Sequence, residues 1–212
     1  MKKLSLLMMV LMVSLLSMAQ VSNYETEMFK TLEQFRQKEV KVDFLKLSDA
    51  FNLIAISNPK KHEVKYYEAL CLVFNSFKEK DNKLKDIQLD KANLIIDKAI
   101  GLEVSDAELY ILKALLFQMK INIDPRKRGY EYSQKAEKQL SKAFELDDNN
   151  PRYYFLKGQN VFFTPKQYGG GKEKAKPYFE KAKELFTKEK PESVLSPIWG
   201  RDTNLAQLKA CK

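Results

Sequence analysis

Few residues in this 212-residue chain are of types suited to catalysis. There is one histidine, His62, and there are two cysteines, Cys71 and Cys211. A Ser-His-Asp relay or a multi-histidine metal site lacks its parts. Neither G-x-S-x-G nor C-x-x-C occurs, so no catalytic residue, metal or cofactor is assigned. The 28 acidic residues leave a paired-carboxylate site open, because spacing in sequence does not give spacing in the fold. Gly169-Gly170-Gly171-Lys172 has the look of a phosphate loop. That loop needs Ser or Thr after the Lys and a strand before the glycines; here Glu173 follows, and Phe162-Phe163 ends a helical pattern. Binding, not catalysis, is the chemistry these residues point to.

Composition narrows what is bound. With 44% hydrophobic and 31% charged residues, the chain has the apolar mass for one ordinary core and lacks the bias of a fibrous or disordered class. Its beginning stands apart: Lys2 and Lys3 precede an apolar run from Leu4 to Leu16, and Ser17-Met18-Ala19 offers small residues at −3 and −1. This predicts a signal peptide over 1–19, cleaved before Gln20, and a mature form that is exported and does not span a membrane. Losing Lys2 and Lys3 lowers the formal charge from +9 to +7. Only Arg36, Arg126, Arg128, Arg152 and Arg201 among the 37 basic residues are Arg. A lysine coat of this kind reads as a solvated basic surface, so no nucleic acid is expected as partner. Two cysteines are too few for a disulfide scaffold, and Cys71 reads as a small core residue.

The elements that must position any site follow from spacing. Ala92-Ile96-Ala99, Ala136-Leu140-Ala143 and Ala175-Phe179-Ala182 each read small, large, small at i, i+4, i+7, which is one face of a helix. Upstream of each lies a second stripe: Tyr67-Leu70-Cys71-Phe74, Tyr110-Lys113-Ala114-Phe117 and Tyr154-Lys157-Gly158-Val161. Its third member is always small, which lets two helices cross closely. Asp147-Asp148-Asn149-Asn150 forms a polar turn, and Pro151 suits the first position of the next helix.

These motifs resemble the tetratricopeptide repeat (TPR), and with Thr164-Pro165 and Trp199-Gly200 they are similar to a group of exported bacterial TPR proteins. The resemblance implies an all-α solenoid of antiparallel helix pairs: a degenerate leading pair over 20–63, three repeats at 64–106, 107–150 and 151–190, and a capping helix over 191–212. Leu205 and Leu208 would face inward and Trp199 would pack on the end. From the small residue of the first helix to the first Ala of the second, the gaps are 21, 22 and 17 residues (Cys71 to Ala92, Ala114 to Ala136, Gly158 to Ala175). Every unit is thus longer than the usual repeat at the same corner. Lys113 and Lys157 replace a Leu and are expected to lay their stems along the core edge with the ammonium in water. Pro177 is expected to delay or kink its helix.

The resemblance also implies a concave groove. Transferred unit by unit, its positions are Lys65, Glu68, Leu72, Asn75 and Ser76; then Glu108, Ile111, Leu115, Gln118 and Met119; then Arg152, Phe155, Gln159, Phe162 and Phe163. Amides and aromatics so placed suit an extended peptide, which makes a protein or peptide partner, held by a scaffold or adaptor, the expected function. The alternative is a transporter accessory that binds a small anionic solute near the long corners, with Arg128, Arg152 and Lys172 as possible anion contacts.

Overall fold

The computed structural model describes residues 23–37, 42–191 and 193–211, so the expected signal peptide lies outside the described residues. Described residues form helices and no strands. Helix α1 spans 23–36. It is followed by α2 (Phe44–Ser57), α3 (His62–Lys78), α4 (Asn82–Ile100), α5 (Ala107–Ile121), α6 (Pro125–Leu146), α7 (Pro151–Phe163), α8 (Lys172–Lys188) and α9 (Arg201–Ala210). From α2 onward each helix packs on the next, and α5 also touches α3 on one side and α7 on the other, so the three make a layer of their own.

The starts of these helices are written in short polar residues. Carboxylates of Asp43, Asp81, Asp106 and Asp124, and the Asn150 amide oxygen, each accept a backbone N–H from the first turn that follows. Pro125 and Pro151 open α6 and α7, where a missing N–H costs nothing. All nine members of the three Ala-large-Ala triplets are fully buried. Cys71 and Ala114 are buried with them, and both cysteine thiols are free. At Gly158 a Cβ would lie 2.6 Å from the Phe179 ring. We expect Gly158→Ala to destabilise the fold by about 1–2 kcal/mol in urea denaturation, overpacking outweighing the roughly 1 kcal/mol gained in helix propensity. A variant as stable as the wild type would show that α7 and α8 have room to part.

The long corners are mostly helix. α4 begins ten residues before Ala92 and α6 eleven before Ala136, so the extra chain extends the second helix of each pair. These extensions meet. Asp86 of α4 accepts two bonds from Arg128 of α6, at 2.9 and 2.8 Å, and one of 2.6 Å from the buried ammonium of Lys120. The Arg128 guanidinium, followed by Lys120, holds the Asp86 carboxyl at about 2. Only the third corner is a true loop, built on Gly169 (φ 90°), Gly171 (φ 110°) and Gly170, whose Cβ would strike the Thr164 carbonyl oxygen at 2.0 Å. The N–H groups of Gly169, Gly170 and Gly171 donate to the carbonyls of Lys166, Pro165 and Val161.

One expectation is narrowed and one needs correction. Pro177 does not delay α8, which starts at Lys172 and carries the proline in its second turn, so only the delay is overturned. The ammonium groups of Lys113 and Lys157 do not sit free in water either: they pair with Asp97 and Glu137 on the preceding helices. A half-buried ammonium sheds much of its hydration, and a carboxylate within reach restores the loss.

Candidate functional site: an aromatic cavity under the linker before α9

The layer of α3, α5 and α7 forms one wall, and the irregular linker between α8 and α9 crosses it. The linker is tied down through its carbonyls. Val194 and Ser196 accept from Arg36, at 2.7 and 3.3 Å, and Leu195 accepts from the Tyr67 hydroxyl at 2.9 Å. Trp199 accepts from Arg152 Nη1 at 3.3 Å. Between linker and helices lies a cavity of about 770 Å³, within the range of roughly 300–1,000 Å³ usual for small-molecule sites.

Its walls are rings. Phe44 of α2, Phe74 and Phe77 of α3, Phe155 of α7 and Trp199 of the linker all line it, with Leu115 and Ile198 filling between. Phe74 is the hub: it lies edge-on to Phe44 (5.6 Å), to Phe77 (6.2 Å) and to Trp199 (6.2 Å, 88°), and is backed by the stacked ring of Phe35. Charges of both signs reach the wall: Lys78, whose ammonium stands 4.4 Å above Phe44, and Arg201 at the start of α9, which donates to the Phe186 carbonyl, with the carboxylates of Glu189 and Asp202 beside them. Such a space takes a flat, conjugated body against its rings, with an anionic group on the side of Lys78. Among the described residues that line it, none is His, Cys, Met or Tyr.

Behind the cavity is a buried ionic cluster. Glu108 at the start of α5 accepts from Arg152 Nε (2.7 Å), Asn150 Nδ2 (2.8 Å) and the Tyr66 hydroxyl (3.3 Å). Arg152, 4% exposed, also pairs with Glu189. Burial alone would lower the basicity of that guanidinium, but the field of Glu108, Tyr66 and Glu189 more than reverses it, and Arg152 stays charged. Burial pushes the Tyr66 phenol well up and holds Tyr67 at about 12, so both are hydroxyls at any ordinary pH. A second space of about 510 Å³ opens beyond Arg152 and Glu189, lined by acids, bases and prolines with no common character.

The predicted groove residues fall into two groups. Leu115, Phe155 and Gln159 line the cavity, while Glu108 and Arg152 stand behind it. The buried Gln118 donates to the Leu156 carbonyl at 2.9 Å. In α3 the predicted positions face elsewhere. Asn75 donates to Gln88 of α4 at 3.0 Å, and Lys65 donates to the Pro59 carbonyl. Glu68 is buried, and burial raises its carboxyl against the pull of Lys91 and Lys65. The residues of α3 that do line the cavity are Phe74, Phe77 and Lys78. Neighbouring helical residues point about 100° apart, so a shift of a position or two in matching the stripe selects another face. Phe162 packs against Phe163 and Phe179, and Phe163 is 69% exposed; neither lines the cavity.

The three candidate anion contacts are held apart by different partners. Arg128 is bidentate on Asp86, Arg152 is shared by Glu108 and Glu189, and the Lys172 ammonium stands 6.0 Å from the Phe162 ring. His62 sits at the head of α3 with Nε2 3.2 Å from Asp106, whose hydrogen bond is the main reason its basicity is raised. It is not part of the cavity wall. Among the described residues no three His, Cys, Asp or Glu side chains are placed to hold a metal, and no helix is long and apolar enough to cross a membrane.

Sequence reasoning missed Phe44, Phe74, Phe77 and Lys78, and Ile198, Trp199 and Arg201 at the linker and the start of α9. Phe77 was one helical step beyond the Phe74 stripe, a legible signal. Trp199 was expected to pack on the end of the array; nothing in an irregular linker announces that it turns back across the layer of α3, α5 and α7. Neither a protein-family model nor a curated protein matches the chain. Among solved structures the chain is similar to the HusA haemophore from Porphyromonas gingivalis, with a TM-score of 0.80 and 27% sequence identity over 89% of this chain and 92% of that one.

Proposed function

We propose that the chain is a non-catalytic, exported binder of a flat amphiphilic anion of the tetrapyrrole class, with haem as cargo. The observation that carries this is the ring-walled cavity between the α3–α5–α7 layer and the linker, in a fold similar to a haemophore over nearly its whole length. The rings offer apolar surface to a macrocycle, and Lys78, far in sequence from Glu189 and Asp202, offers charge to its carboxylates. This keeps the small anionic solute anticipated as the alternative function and moves it from the corners to the face of α3, α5 and α7. It is preferred to a peptide partner because that face already holds a segment of this chain, whose carbonyls take the donors a guest peptide would need. Export follows from the reading of residues 1–19 as a signal peptide.

Residues 20–212, titrated with haem and followed in the Soret band, are expected to form a saturable one-to-one complex that quenches Trp199, the single tryptophan of the chain. No saturable change at micromolar protein with helicity intact would end the reading. Among the described residues that line the cavity none is a customary haem-iron ligand, so metal-free protoporphyrin IX is expected to bind within about threefold of haem, a difference under about 1 kcal/mol. A preference for haem of a hundredfold or more would mean that a side chain reaches the iron.

A further inference from the structure

Trp199 is gripped at two points. Its indole N–H donates to the Tyr66 hydroxyl at 2.7 Å, and its carbonyl accepts from Arg152. Both grips lead back to one buried carboxylate. Glu108 accepts from Tyr66 and from Arg152 and so fixes the direction of each. The Tyr66 hydroxyl has one proton and spends it on Glu108, which leaves its lone pairs facing the indole. Tyr66 is 3% exposed and does not line the cavity, so it cannot touch a ligand there. Trp199 does line it, on a linker with no regular secondary structure to hold its plane.

We infer that Tyr66 is a positioning residue, and that the Glu108–Tyr66–Trp199 relay holds the indole as a preformed wall against which a planar ligand stacks. The inference rests on the reading of the cavity as a tetrapyrrole site. A ring fixed in advance spares the ligand the entropy of ordering it, so the relay acts on affinity through Trp199 and nothing else. A residue that merely stabilised α3 would weaken the fold without depending on residue 199.

The test is a double-mutant cycle on residues 20–212 with metal-free protoporphyrin IX, read by Soret absorbance because one arm removes the tryptophan. Tyr66→Phe is expected to weaken binding roughly tenfold, mainly through faster dissociation. Trp199→Phe keeps a ring but has no N–H to hold, and adding Tyr66→Phe to it is expected to change affinity by less than about twofold. A Tyr66→Phe effect of the same size in both backgrounds, or none in the wild type, overturns the positioning role. Hydrogen exchange of the single indole N–H in the unmutated protein tests the relay without any variant: protection is expected, and exchange at the rate of free indole overturns it. If the wild type takes up no protoporphyrin, the functional reading falls and the inference with it. If the wild type binds and Tyr66→Phe binds equally well, the inference alone falls.

Discussion

Replacing Arg152 with Met is expected to cost about 3–5 kcal/mol of stability at pH 7, a large share of what a domain of this size has to lose. The guanidinium is nearly inaccessible and holds two carboxylates, Glu108 and Glu189, together with the Trp199 carbonyl. Methionine fills much of the volume but leaves Glu108 charged in a buried site with only Asn150 and Tyr66 as donors. Urea denaturation of wild type and variant at pH 7 checks the point. A loss below about 1 kcal/mol would mean that the ionic cluster contributes little beyond its volume.

Phe77→Asp is expected to weaken haem binding roughly 10- to 100-fold while moving the melting temperature little. The ring is 57% exposed yet lines the cavity, so the fold depends on it weakly and a ligand would cover what water now touches. Losing one aromatic wall removes about 1.5–3 kcal/mol of apolar contact, and the new carboxylate sits where the ligand's own carboxylates must approach Lys78. Phe163→Asp is the matched control. Phe163 is as exposed and as aromatic but lies outside the cavity, so its replacement is expected to leave affinity unchanged. Equal losses for both, or for neither, would move the ligand away from this wall.

The two variants also mark where sequence reasoning stops. Phe162 and Phe163 occupy a family's groove positions carried along the helices, whereas Phe77 is placed at the cavity only by the fold. The stripes that defined the helices are legible because burial between consecutive helices repeats every three to four residues; Ala136, Leu140 and Ala143 are buried as spaced. Which remaining face of α3 lines the cavity is not legible. That face is selected by what packs from outside the repeat: α1 through Phe35, α2 through Phe44, and the linker through Trp199.

By itself the sequence determined the helical architecture and most helix starts, because caps, prolines and apolar periodicity act over a few residues and need no distant partner. It also determined the basic surface and the scarcity of catalytic side chains, which are matters of count. Tertiary structure decided which side chains meet at the site. Glu108 meets Tyr66 across 42 residues of chain and Arg152 across 44. Trp199 meets Tyr66 across 133. Contacts of that range leave no periodic trace, since each needs only one residue of the right type at each end, and it is the packing of three helices and one irregular linker that brings those ends together.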